Sequence, residues 1–262
     1  MKDTWDRRIQ RAERLASERI GSSELLSFYA VLLRSQKKTY EHLQARKNWR
    51  PSGDLAQDLP MLRPVFPNLL HAVEENGPDM LVSQAKRLLE ASESDLDEMF
   101  IEHWRSPSDM HFFAKAFLQP YASWLREIGV APADRNLRSG ENRCPFCCGK
   151  PQVSIHQIKE TSSESGGRDL VCAMCLMTWP FRRVVCAACG EENPARMGYY
   201  HSSEYDYVRV EACDTCKHYI KAVDLTRFGY AVPLVDDVAA APLDLWAREH
   251  GYTKIELNLI GI

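Results

Sequence analysis

Four Cys-x-x-Cys pairs within 73 residues constrain this 262-residue chain more than any other feature: Cys144/Cys147, Cys172/Cys175, Cys186/Cys189 and Cys213/Cys216. The two-residue spacing allows a tight knuckle in which both sulfurs point the same way and backbone amides donate to them. Four thiolates from two such knuckles can surround one tetrahedral metal ion at sulfur distances of about 2.3 Å. One pair alone would carry little weight; four in series predict two four-cysteine metal sites.

Loop lengths suggest how the pairs combine. Consecutive pairs are separated by 24, 10 and 23 residues. Two similar intervals around a short one predict a repeat of knuckle, hairpin, knuckle, as in rubredoxin and zinc-ribbon modules. Site one (144–175) then takes Cys144, Cys147, Cys172 and Cys175, and site two (186–216) takes Cys186, Cys189, Cys213 and Cys216. Crossed pairing, as in treble-clef or RING-like modules, is the alternative.

The rest of the chain divides around this region. Residues 1–138 read as a helical bundle of five to seven helices, and residues 139–262 as the double metal module with a C-terminal helix. Trp5, Ile9, Ala12, Leu15, Ala16 and Ile20 form an apolar stripe ending at Gly21. A second helix is expected from about Glu24 to Lys47, capped by Ser22 or Ser23. Pro51, Gly53, Pro60 and Pro64 predict a loop over 48–66. Helices are then expected from Pro67 to Gly77, from Pro78 to about Ala91, from Ser92 or Ser94, and over 109–129, where Pro120 is a candidate kink. Residues 130–143 read as a linker. Strand-like alternation follows in Val153–Ile158 and Tyr205–Val210, with further strands at Leu170-Val171 and Trp179–Val185. Thr161–Arg168 reads as a flexible tip, Asp236 to Ala247 as one helix ending near Gly251, and Ile255–Ile262 as an extended apolar tail.

Composition excludes several classes. The chain is 45% hydrophobic and 26% charged, the balance of a globular protein. The first eight residues lead into a charged segment without an apolar core, so no signal peptide is expected. A cytoplasmic location follows as an expectation; thiols stay reduced there, which favours metal over disulfides. Residues 141–262 hold 13 Lys/Arg against 16 Asp/Glu. Two filled four-thiolate sites would add negative charge, which argues against a nucleic-acid-binding ribbon.

The candidate chemistry is confined to sulfur. Zinc would make both sites closed and structural; iron in the same cage would be rubredoxin-like and redox-active. With four sulfurs around each ion neither site could act as a Lewis acid. Cys148, the ninth cysteine, follows the first pair and is either a spare thiol or a reactive one beside a metal centre. Gly190 follows the third pair, where a positive φ is expected. His201 and His218 are surplus to complete four-cysteine sets. Asp236/Asp237 are expected near a helix N-terminus. Trp179, Phe181, Arg182 and Arg183 form an aromatic and basic cluster suited to packing or to a protein partner.

These motifs together resemble the formate dehydrogenase accessory protein family, FdhE. The resemblance rests on Cys144-Pro-Phe-Cys147, Cys172-Ala-Met-Cys175 with Thr178-Trp179 and Arg183, Cys186-Ala-Ala-Cys189, and Cys213-Asp-Thr-Cys216 with Tyr219-Ile-Lys221 and Asp224. It extends through Asp236-Asp237, Leu243-Asp244 and Gly251-Tyr252, and includes Leu118-Gln-Pro-Tyr-Ala122. It is dense over 144–252 and thin before 110. It implies a cytoplasmic maturation factor that binds the catalytic subunit of a molybdenum- or tungsten-dependent formate dehydrogenase. It also implies a helical domain followed by two rubredoxin-like modules holding iron. Cys148 stands where the family has glycine, which marks the first knuckle as a departure. The alternative reading is a thiol-disulfide reductase protecting a client cysteine or selenocysteine through Cys148 or a Cys-x-x-Cys pair.

Overall fold

The computed structural model describes residues 4–18, 20–46, 48–108, 110–133, 140–158 and 167–261. The chain forms two compact units, 1–137 and 138–262. Lys47, Asp109, residues 134–139 of the expected linker, residues 161–166 of the expected tip and Ile262 lie outside the described residues.

The first unit is helical, with α1 Trp5–Glu18, α2 Ser23–Ala45, α3 Leu55–Leu62, α4 Phe66–Asn76, α5 Asp79–Leu89, α6 Glu93–Arg105 and α7 Phe112–Ile128. Its centre is α7, buried at every position from Phe113 to Leu125, so Pro120 sits in the core rather than on a face. α2 packs against α1, α4 and α7. Phe66, Phe100 and Phe117 meet with ring centroids 4.9–5.0 Å apart, and Trp104 lies 5.5 Å from Tyr121. Offset and edge contacts of this kind add to area burial.

The loop expected over 48–66 is overturned. Asp54 accepts from the Ala56 amide and caps α3, although Pro60 lies within that helix. Leu55, Leu59 and Leu62 recur at helical spacing and are buried; core packing overrides the breaker signal of the prolines. Asp58 holds the preceding turn: it accepts from the Ser52 and Gly53 amides and from the Tyr121 hydroxyl at 2.6 Å. Gly53 has φ +84, and a Cβ there would lie 2.5 Å from the Ala131 carbonyl oxygen. Only glycine fits that close approach.

The second unit is one seven-stranded sheet in the order β3-β2-β1-β6-β5-β4, with β7 on β6. The strands are β1 Pro151–Gln157, β2 Gly167–Cys172, β3 Thr178–Phe181, β4 Met197–His201, β5 Val208–Cys213, β6 His218–Asp224 and β7 Thr253–Lys254. Each module contributes three antiparallel strands, and parallel pairing of β1 with β6 fuses them. Several expected boundaries move. Gly167 and Arg168 belong to β2 and not to a tip; Tyr205 closes a 3₁₀ turn capped by Ser202; β3 stops at Phe181.

Two helices, α8 Pro233–Ala239 and α9 Ala241–Glu249, replace the single one expected at the C-terminal end. Pro242 lacks an amide to continue α8, so the helix restarts at α9. α8 packs on β1 and β6, over the seam between modules. The extended tail expected over Ile255–Ile262 is corrected: its described residues form bends and turns, and the strand β7 lies just before it, yet Ile255 and Leu259 dock and are buried. Among the described residues no helix is long and apolar enough to cross a membrane.

Candidate metal centres

All four knuckles are built alike. The residue after each second cysteine has a left-handed backbone: Cys148 φ 54, Leu176 φ 58, Gly190 φ 78 and Lys217 φ 58. The amides of Cys144, Cys172 and Cys186 donate to the carbonyls five residues on, at 2.8–3.0 Å. The amides of Cys148, Gly190 and Lys217 donate back to the first cysteine of their pair, at 2.8–3.0 Å. The expected departure at the first knuckle is therefore absent: Cys148 takes the conformation glycine would take. Gly149 beside it is required, because a Cβ there would lie 2.9 Å from the Cys172 sulfur.

β1–β2 carries the first knuckle to the second, and β4–β5 carries the third to the fourth. Cys144, Cys147, Cys172 and Cys175 converge with their sulfurs within 4.8 Å of one another, as do Cys186, Cys189, Cys213 and Cys216. The grouping is sequential, not crossed. Neighbouring sulfurs lie 3.4–3.5 Å apart in site one and 3.7–3.8 Å apart in site two. A tetrahedron with metal–sulfur bonds of about 2.3 Å has edges of about 3.8 Å. All nine cysteines are free of disulfides. The spacing and the soft donor set fit an ion of the zinc or iron kind.

The sites differ in exposure. All four sulfur residues of site one are buried, whereas Cys189 is exposed and Cys216 half-buried in site two. Burial pushes the Cys172 and Cys175 thiols well above their ordinary range and Cys186 up to about 11. Amides soften this: Met174 donates to Cys172 and Ala188 to Cys186, at 3.4 and 3.3 Å. Burial also raises Cys213, but hydrogen bonds from the amides of Cys216 and Thr215 and from the side chains of Cys186 and Cys216 together leave its thiol lowered. Four such sulfurs ionise together only if a cation replaces their protons.

The other candidate residues are dispersed. Cys148 belongs to neither sulfur group and lines a cleft of about 730 Å³ with Pro145, Trp179, Phe181 and Arg182. Trp179 is a packing residue, buried and donating its indole N–H to the Glu141 carbonyl at 3.1 Å. Arg182 is exposed and paired with Glu192 at 2.7 Å. His218 bonds the Cys216 carbonyl through Nδ1 at 2.8 Å, and His201 lies exposed on β4; neither joins a sulfur group.

Two buried ionic clusters went unread in the sequence. On the helix face of the sheet Lys221 and Lys254 meet Asp237 and Asp244, all with fully buried side chains. The helix-terminus role expected for both acidic residues holds for Asp236, which accepts from the Val232 amide at 2.6 Å. It is corrected for Asp237, which accepts from Lys254 at 2.9 Å, Asn258 at 3.1 Å and Gln152 at 3.3 Å. Burial opposes its charge, yet the two lysines hold Asp237 below the usual carboxylate range. On the other face Arg168, His156 and Arg209 surround Glu211 at 2.6–2.9 Å. A lysine in an otherwise apolar strand, Tyr219-Ile-Lys-Ala-Val223, was the available signal for the first cluster.

Residues 184–260 match the family described as FdhE, C-terminal domain. An FdhE homologue of Aquifex aeolicus is 34% identical over 205 residues, 77% of this chain and 70% of that protein. The chain belongs to the FdhE family. FdhE homologues of Haemophilus influenzae are 28% identical over 278 residues, spanning 98% of the chain and 88% of the relative. The crystal structure of FdhE from Pseudomonas aeruginosa superimposes with a TM-score of 0.69 over 99% of this chain and 97% of that one, at 24% identity. That likeness establishes the fold of a helical unit followed by two zinc-ribbon-like modules. FdhE proteins are a formate dehydrogenase accessory family, as the motif resemblance implied.

Proposed function

We propose that this FdhE-family chain is a cytoplasmic maturation factor that binds the catalytic subunit of a molybdenum- or tungsten-dependent formate dehydrogenase during assembly. The observation that supports it is family membership joined to two closed sulfur tetrahedra, which leave no ligand position for a substrate. Cys144, Cys147, Cys172 and Cys175 would hold one ion, and Cys186, Cys189, Cys213 and Cys216 a second. Iron, favoured by the family resemblance, would supply a one-electron couple; zinc would supply cross-linking alone. The chain's own part is to present a rigid sheet whose form depends on those sulfurs. Co-purification of the tagged full chain with the catalytic subunit tests the proposal. Absence of a complex at every maturation state, with normal formate dehydrogenase activity in a deletion strain, would refute it.

A thiol-disulfide reductase is the second reading, supported by the half-buried Cys148 on the cleft beside site one. Its thiolate would attack one sulfur of a client disulfide, forming a mixed disulfide and freeing the other sulfur as thiolate. A small-molecule thiol would then attack the Cys148 sulfur and release the client as a thiolate, and a second equivalent would reduce the resulting Cys148 mixed disulfide, leaving the small-molecule disulfide. Unchanged turnover of a disulfide substrate by Cys148→Ser would end the Cys148 version of that reading and leave only a Cys-x-x-Cys pair.

A further inference from the structure

Arg168 touches strands from both modules. It lies on β2, which runs into Cys172. Its Nε donates to the Ser154 hydroxyl of β1 at 2.9 Å. Its Nη1 donates to the carbonyls of Val185 and Arg182 at 2.8 and 3.1 Å, in the segment that delivers Cys186. Its Nη2 meets Glu211 at 2.6 Å, on β5, two residues before Cys213. Every segment bonded to this guanidinium adjoins one of the four knuckles, and both side chains of the Arg168–Glu211 pair are only 1% exposed.

This pair is complete only when both modules are ordered. Glu211 of module two is desolvated against Arg168 and His156 of module one. Without module one Glu211 keeps only Arg209 of its three cationic partners and loses the groups that cover it, so the buried pair exists only in the doubly ordered state. Arg168 reciprocally needs the segment 182–185 and β5 to satisfy its donors. In metal modules of this size, folding and ion binding are the same equilibrium. Ordering one module therefore lowers the free energy of ordering the other, which is the thermodynamic definition of coupled sites.

We propose that the Arg168–Glu211 cluster makes the two four-cysteine sites fill as a coupled pair, an ion at either site tightening binding at the other. Arg168 and Glu211 act as positioning residues: neither touches a sulfur, and both set the strands that carry sulfurs. The inference rests on the metal reading of the two sites and is independent of the client.

The test uses the full chain, metal-stripped and reduced, titrated with Co²⁺ against a competing chelator and read by thiolate-to-cobalt charge-transfer absorption. Cys175→Ser should disable site one and weaken site two by about 5- to 150-fold, the usual range of coupling. In an Arg168→Met/Glu211→Met background, an apolar replacement such clusters often tolerate, the same cysteine change should leave site two within a factor of about two. A second measurement keeps the cluster intact: in Cys213→Ser, loading site one alone should slow amide exchange over residues 208–213. Site-two affinity indifferent to Cys175→Ser, coupling undiminished in the paired methionine background, or unchanged exchange on loading site one would each overturn the proposal. No cobalt–thiolate absorption in the parent chain would overturn the metal reading beneath it.

Discussion

Replacing Lys221 with methionine tests whether the helix-face cluster holds α8 and α9 on the sheet. Lys221 donates to the carbonyls of Asp237 and Ala240 and to the Asp244 carboxylate, and lies 3.1 Å from Asp237 Oδ1. The cluster holds two lysines and two aspartates, so it is neutral while intact. Lys221→Met leaves Lys254 against two fully buried carboxylates. Uncompensated buried charge of this kind costs roughly 3–5 kcal/mol. With a urea slope of about 2 kcal/mol per M, the unfolding midpoint of the second unit should fall by about 2 M. Fluorescence of Trp246, carried on α9, reports the transition in metal-loaded full chain. Lys221→Met/Asp244→Asn restores neutrality and should recover most of the loss. In the single variant one aspartate binds a proton more tightly folded than unfolded, so its deficit should shrink as pH falls through the carboxylate range. A midpoint shift below about 0.25 M, the size expected of a surface substitution, would refute the reasoning.

Three further outcomes are expected. Glu211 is held at about 2 against an ordinary 4.5: burial alone would raise it, but Arg168, His156 and Arg209 outweigh that. A carboxylate lowered in the fold stabilises above its unfolded pKa and loses that contribution as pH falls toward the folded one, here roughly 3 kcal/mol. Acid titration of Glu211→Gln should lack this slope between about pH 5 and 2; a slope equal to the parent's would contradict it. Metal release to a chelator should be biphasic, the fast phase belonging to site two because Cys189 and Cys216 reach solvent. Cys189→Ser should abolish the fast phase and, through the coupling of the two sites, quicken the slow one. Gly53→Ala should destabilise the helical unit by about 1–3 kcal/mol, since its Cβ would strike the Ala131 carbonyl, and thermal unfolding measures this.

The cysteine pattern by itself predicted two sulfur groups and favoured sequential pairing, and the structure removed the crossed alternative. Spacing of two residues within a pair and two similar intervals around a short one are local constraints, and a knuckle needs little beyond its own backbone bonds. The helical stripes of α1, α2 and α4 were legible for the same reason: side chains three and four apart share a face whatever surrounds them. Helix α3 was hidden because Pro60 within it and Pro51 and Pro64 around it speak locally for a loop, while burial of Leu55, Leu59 and Leu62 and the Asp58–Tyr121 bond speak for a helix from a distance. Only the tertiary structure decided that the modules share one sheet through β1 and β6, that site two is the more exposed, and that Arg168 meets Glu211 across 43 residues of chain. Such pairings between distant segments depend on which strands become neighbours, and no single-residue spacing encodes that.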